Sequence, residues 1–225
     1  PSLRARLGGG TALLLTLGLA AIPELTAGVD GPLEWRALAL LQPLAMMLAF
    51  TLFFGKLASI PSEGVPYPLF AYSALLPWQL FSRTISESTN SLIIDQRLIT
   101  RVYFPRIIVP LAATLAALVD FAVAAELLIV LMFGYGVSLS MTVVWLPFFT
   151  LLMLVTALGV GFWLSALNVE YRDVMYMVPF LNQFWLFVTP VDYPTSLVPE
   201  QWRALYGLNP MSGVVEGFRW SLLGV

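Results

Sequence analysis

The sequence predicts an all-α polytopic membrane protein of about five to six transmembrane helices, and three observations carry that reading. Of its 225 residues, 59% are hydrophobic and 11% are charged, whereas an ordinary soluble domain is about a quarter charged. So few charges cannot cover a water-facing surface, which leaves lipid as the main solvent. Apolar stretches near the length of about 20 residues that a spanning helix needs recur along the chain. Basic residues gather on alternate loops, the bias that orients helices in a membrane. The composition also excludes function classes. The chain has no Cys and no His, which removes disulfides, thiolate nucleophiles, Ser-His-Asp triads and the usual zinc sites. A net charge of −2 offers no basic stripe to nucleic acid.

Taken in order, residues 1–36 form a divergent segment apart from the rest. Arg4 and Arg6 followed by Thr11–Ile22 imitate a signal peptide, but the run is shorter than a span and reads as interfacial. The domain proper covers 37–225. Ala37–Leu57 is apolar apart from Gln42 and Lys56, with Pro43 in its first turns, where proline is tolerated. Tyr67–Phe81 is apolar and then gives way to the polar run Ser82–Ser91. Parity requires this stretch to cross, and its polar face suits other helices or an aqueous path better than lipid. Ile107–Phe133 is long enough to cross with tilt. Val143–Leu167 follows, and Tyr176–Val191 makes a shorter span. The tail after Asp192 is broken by Pro194, Pro199, Asn209-Pro210 and Gly213, so it predicts short helices at or dipping into the outer interface. Residues from Val214 onward read as the start of a last, truncated span. No 20–50-residue repeat divides the domain. With Ala37 inside, Arg36, Arg83, Arg97, Arg101, Arg106 and Arg172 fall on the cytoplasmic side; Lys56, Arg203 and Arg219 fall outside.

Two inner stretches and two sets of membrane residues carry candidate chemistry. Asp95 is placed to cap a short helix over Gln96–Tyr103, and Pro105 ends it by disfavouring helical geometry at Phe104. Ile94, Leu98, Ile99 and Val102 make its apolar side; Gln96, Arg97, Thr100 and Arg101 make the polar one. These residues fit a headgroup anchor or a docking face. Asn168, Glu170, Tyr171, Arg172 and Asp173 close a long apolar run. They fit a capped turn, or a gate in which Arg172 bridges to Glu170, Asp173 or another chain. Asp120 and Glu126 lie within a predicted span but on different faces of its helix, which fits helix-to-helix hydrogen bonding better than a catalytic pair. Aromatics cluster at Tyr67, Phe70, Tyr72, Trp78 and Phe81, and at Phe180, Phe184, Trp185 and Phe187. They serve packing or interface anchoring, or flat walls for sugar rings along a path.

Five stretches in register carry a resemblance: Val65-Pro-Tyr-Pro-Leu-Phe70, Leu75-Leu-Pro-Trp78, Leu98-Ile-Thr-Arg-Val-Tyr-Phe-Pro-Arg106, Asn168-Val-Glu-Tyr-Arg-Asp-Val174, and Leu208-Asn-Pro-Met211 with Gly217-Phe-Arg219. From Leu40 to Gly224 the chain resembles the membrane-spanning permease of bacterial ABC exporters for polysaccharides and polyol phosphates, which handle O-antigen, capsule and teichoic-acid chains. The resemblance implies a homodimeric channel in the cytoplasmic membrane for a lipid-linked or other glycan. It implies a separate ATP-binding subunit that holds ATP and magnesium, with no cofactor, metal or catalytic residue in this chain. Asp95, Gln96, Arg97, Leu98, Ile99, Arg101, Val102 and Tyr103 would form the coupling helix that docks on that subunit, and Arg106 would fix the start of the next span. Asn168, Glu170, Tyr171, Arg172 and Asp173 would border the cytoplasmic gate. The stretch from Val188 to Met211 would form outer re-entrant helices, with Tyr72, Trp78, Phe81, Phe184, Trp185, Asp192 and Asn209 as candidate pathway or exit residues. Two departures stand out: Pro1–Trp35 lacks the family's basic amphipathic helix, and Asp192 replaces a generally apolar residue. The rival expectations are an ABC permease for a small amphiphile and, from another class, a membrane-embedded transferase acting on lipid-linked sugars.

Overall fold

The computed structural model describes residues 44–57, 62, 64–96, 105–138, 140–191 and 193–224. Among them the first helix, α1, is Leu44–Leu57, and its last seven residues, Thr51–Leu57, are wound as a π-helix. Thr51 Oγ1 donates to Met47 O at 2.7 Å. Gly55 lies against the next helix so closely that a Cβ there would sit 2.9 Å from the Tyr67 ring.

The second helix, α2, runs from Tyr67 to Ile94 and is the axis of the fold. It packs most extensively against α4 (Leu146–Glu170) and α3 (Ile108–Gly134), and further against α7 (Pro210–Leu223) and α5 (Val174–Val188). Its 28 residues span about 42 Å at 1.5 Å each, enough to cross a bilayer core of about 30 Å. The expected apolar stretch Tyr67–Phe81 is thus only the first half of the helix. In its polar second half three hydroxyls bond to the preceding turn of the same helix. Ser86 Oγ donates to Ser82 O at 2.9 Å, Thr89 Oγ1 to Ile85 O at 2.7 Å, and Ser91 Oγ to Ser88 O at 2.8 Å.

Two helices are long and apolar enough to cross a membrane among the described residues: α3, and α4 with its 3-10 lead-in Met141–Trp145. Each turns one stripe towards α2. On α3 the buried stripe includes Thr114, Ala117, Ala124, Leu128 and Met132. On α4 it is Met153, Ala157, Gly161, Leu164, Ser165 and Asn168. The small residues Ala157, Gly161 and Ser165 repeat every four positions, the spacing that lets helix backbones approach in lipid. A Cβ on Gly161 would lie 2.9 Å from Ser88 Cβ on α2. The outward faces carry exposed Leu115, Val119, Val130, Leu151, Val155 and Trp163, a continuous apolar surface suited to lipid.

The short helix expected over Tyr176–Val191 is observed as Val174–Val188. Its 15 residues reach about 22 Å, less than the hydrocarbon thickness. It stops because Thr189, extended at φ −98° and ψ 136°, precedes Pro190, which disfavours helix at the residue before it. The remaining depth is filled by a helical hairpin. After a 3-10 turn at Thr195–Leu197, α6 (Glu200–Leu208) leads back to Asn209, and α7 departs from it. Residues from Val214 to Leu223 lie within α7. Gly224, at φ 76°, caps this helix in the left-handed conformation glycine favours.

The hairpin is re-entrant by its contacts. Asn209, at its turn, bonds Trp185, whose ring lies 5.0 Å from Phe81, the fifteenth of the 28 residues of α2. Further along α7, Gly217 meets the Phe149 ring near the start of α4, and Arg219 lies over Phe70 near the start of α2. The chain thus dips from the outer end of the bundle to its middle and returns.

Candidate functional site

At the end of the bundle assigned to the cytoplasm, Asn168 joins three helices. Its Nδ2 donates to Thr89 O at 2.9 Å and lies 3.4 Å from Asn90 Oδ1, both on α2. Its Oδ1 accepts from the backbone N–H of Met175, in the first turn of α5, at 3.1 Å. It is fully buried. Beyond it Glu170, Tyr171, Arg172 and Asp173 are all exposed. Arg172 forms no ion pair with Glu170 or Asp173 among the described residues. The turn is instead held by backbone bonds, such as Tyr171 N–H to Leu167 O at 2.7 Å. Of the expected gate residues, then, one is a buried clasp and four face outward.

The inner loop begins where α2 ends. Asp95 caps that helix at its C-terminus, its backbone N–H donating to Ser91 O at 3.0 Å, and Gln96 is again helical. Ile94, Gln96, Arg106 and Ile107 are exposed around this junction. Arg97, Leu98, Ile99, Arg101, Val102 and Tyr103 lie outside the described residues, as do Arg36, Gln42, Pro43 and the segment 1–36.

Arg83 does not belong to a cytoplasmic loop. It is the seventeenth of the 28 residues of α2, about 24 Å from one end and about 17 Å from the other. Its Nε donates to Glu87 Oε1 at 2.6 Å, one turn on, and its Nη1 pairs with Asp120 on α3. An intramembrane ionisable group is tolerated when it is paired, and here Arg83 is paired twice. The three side chains border a cleft of about 680 Å³ between α1, α2, α3 and α5, lined also by Gln79, Ser82, Ser86, Asn182 and Gln183. Asn182 ties α5 to the cleft wall, its Nδ2 donating to Ser82 O at 3.2 Å and Ser86 Oγ at 3.0 Å. Glu126 is exposed on another face of α3, so the two carboxylates diverge as the helical spacing predicts.

The expected pathway residues divide. Tyr72, Trp78 and Phe81 are buried inside the bundle, and the Tyr72 hydroxyl donates to Ala124 O on α3 at 3.0 Å. Phe184 is exposed, on a face of α5 shared with Tyr176, Phe180 and Phe187. Trp185 and Asn209 brace the hairpin. Trp185 Nε1 donates to Asn209 Oδ1 at 3.0 Å, which also accepts from Met211 N–H at 3.1 Å as the N-cap of α7. Asn209 Nδ2 donates to Thr189 Oγ1 at 3.0 Å. Asp192 lies outside the described residues.

Sequence reasoning missed Arg219 and Asn182. Arg219 is buried in α7. It donates to Pro190 O at 2.9 Å, Tyr193 O at 3.3 Å and Val191 O at 2.6 Å, and its guanidinium carbon lies 3.7 Å from the Phe70 ring centroid. A planar fork of five donors suits this cluster of carbonyls. A lone arginine after an apolar helix carries no such signal in sequence. The spacing of Arg83 and Glu87 at i and i+4 was the available sign of a helical pair.

Comparison with known proteins places these features in a family context. A family model described as "ABC-2 type transporter" matches residues 32–223. The chain is 31% identical over 199 residues to the O-antigen export system permease protein RfbA of Myxococcus xanthus, covering 87% of this chain and 75% of that protein. It is 27% identical over 154 residues to the RfbA protein of Klebsiella pneumoniae, 68% of this chain and 60% of the relative. It is 22% identical over 191 residues to the polysialic acid transport protein KpsM of Escherichia coli, 79% of this chain and 69% of the relative.

Proposed function

This chain belongs to the ABC-2 type transporter family, and from that membership we propose that it is the permease of an ATP-driven exporter moving a polysaccharide across the bacterial cytoplasmic membrane. The observation that carries the reading is the similarity to RfbA over 87% of the chain. The names of the relatives favour a glycan cargo over a small amphiphile. A path for such a chain is formed between two copies of the permease. The exposed aromatic face of α5 offers flat apolar surfaces to sugar rings, which need no fixed hydrogen-bond pattern.

The permease does not hydrolyse ATP in this reading; ATP and magnesium sit in a separate partner subunit. The inner loop from Asp95 to Arg106 is the docking element, with Leu98, Ile99 and Val102 as its apolar contact and Arg97 and Arg101 on the water side. The exposed flanks Ile94, Arg106 and Ile107 are compatible with a partner seated there. ATP-driven closure of the partner moves this element, and α2, continuous with it at Asp95, carries the displacement into the bundle. Asn168 couples the same end of α2 to α4 and α5.

Replacing Leu98 and Val102 together with Asp tests the assignment. Export and co-purification of the ATPase should be lost while the permease still inserts and accumulates in the membrane. Export at the wild-type rate in the double variant would refute the coupling role.

A further inference from the structure

The charged cleft described above has a chemistry of its own. Its described lining brings together one cation, Arg83, and two carboxylates, Glu87 and Asp120, which leaves it one negative charge in excess. Arg83 stands near the middle of α2, with Glu87 one turn further on and Asp120 opposite on α3, where low-dielectric surroundings strengthen their field. Uncharged hydrogen-bonding groups face the same space. Gln79 and Asn182 line it, the latter 7% exposed. Gln183 is exposed beside them. A volume of about 680 Å³ falls within the range of ligand sites, about 300–1,000 Å³. A purely structural ion pair would not need this opening.

We propose that this cleft is a binding subsite for an uncharged, hydroxyl-rich segment of the exported glycan, and that its excess negative charge turns away anionic segments. Sugar hydroxyls donate to Glu87 and Asp120 and accept from Arg83, so one neutral ring can engage both signs of charge. A carboxylate- or phosphate-bearing sugar would gain Arg83 alone and meet two like charges. This rests on the exporter reading above and names the class of cargo.

The test uses the absence of cysteine from the chain. The full permease carrying Gln183→Cys, assembled with its ATPase in nanodiscs, is labelled with a trimethylammonium or a sulfonate methanethiosulfonate of equal size. With each rate divided by that reagent's rate with a free thiol in solution, which removes the thiolate's own preference for a cation, the cationic reagent should react faster by about threefold or more, the direction set by a net negative charge in a confined site. That preference should collapse towards parity in Asp120→Asn. Glu87→Gln, which keeps the interhelical pair, should do the same and serves if Asp120→Asn does not fold. A neutral dextran hexasaccharide should protect the thiol, and a sialic acid hexamer should not. Equal or anion-favouring rates, no protection by dextran, or equal protection by both sugars would overturn the proposal. If deleting the chain still abolishes surface polysaccharide, such a result removes the subsite and leaves the exporter reading intact.

Discussion

Asn168 makes the residue-scale argument most sharply, because a single amide joins α2, α4 and α5 through three contacts, at 2.9, 3.1 and 3.4 Å. Truncation to Ala removes the acceptor of Met175 N–H and leaves Thr89 O with its helical partner alone, a loss of about 1–3 kcal/mol. Asn168→Ala should therefore lower the thermal midpoint of the purified permease in detergent, and an unchanged midpoint would show the clasp to be idle. Its neighbours Glu170, Arg172 and Asp173 are exposed, so their substitution should leave stability within about 0.5 kcal/mol. Arg219 plays the matching part at the outer end, where its donors hold the carbonyls of Pro190, Val191 and Tyr193. Both residues stood within stretches that drew attention in the sequence, yet neither role was legible there. Asn168 looked like part of a charged turn because its partners Thr89 and Asn90 are almost eighty positions away. Arg219 looked like an outer-loop charge because nothing local marks a buried carbonyl cluster.

Among the helices, legibility followed the uniformity of the solvent each one meets. The long apolar runs of α3 and α4 gave boundaries within a few residues of those observed, since lipid rewards an unbroken apolar exterior. The second half of α2 packs its Ser and Thr face against α3, α4 and α5, the surroundings that face suited in sequence, but its depth in the bundle was not legible. Arg83 was accordingly counted with the loop charges. The brevity of α5 was legible, but its end was set three residues late because Thr189-Pro190 sits inside an apolar stretch. Close approach is the controlling feature of the α2–α4 pair. Gly161→Leu should prevent the helices from meeting at Ser88 and reduce the folded yield sharply. Gly161→Ala should be milder, and Ser88→Gly should restore part of its loss by removing the atom at 2.9 Å. Fluorescence size-exclusion yield of the three variants measures this. Equal yields for Gly161→Leu and the parent would mean that the helices pack elsewhere.

The whole molecule joins two features. One is the re-entrant hairpin, whose broken helices the tail announced in sequence but whose place beside the middle of α2 it did not. The other is a polar cleft assembled from positions as distant as Arg83, Asp120 and Asn182. The fold class, the order of the spans and the family were legible because hydropathy and ordered motifs survive in one dimension. The cleft was not, because its groups meet only after four helices pack. Family membership and similarity to RfbA over 87% of the chain lead to the central claim, that the protein exports a polysaccharide. The most direct test is an in-frame deletion of this chain in its native host, followed by measurement of surface and intracellular polysaccharide. The account predicts that surface polysaccharide disappears, that the polymer accumulates inside, and that the wild-type chain restores export while Leu98→Asp with Val102→Asp does not. Surface polysaccharide at the parental level, with no intracellular accumulation, would contradict it.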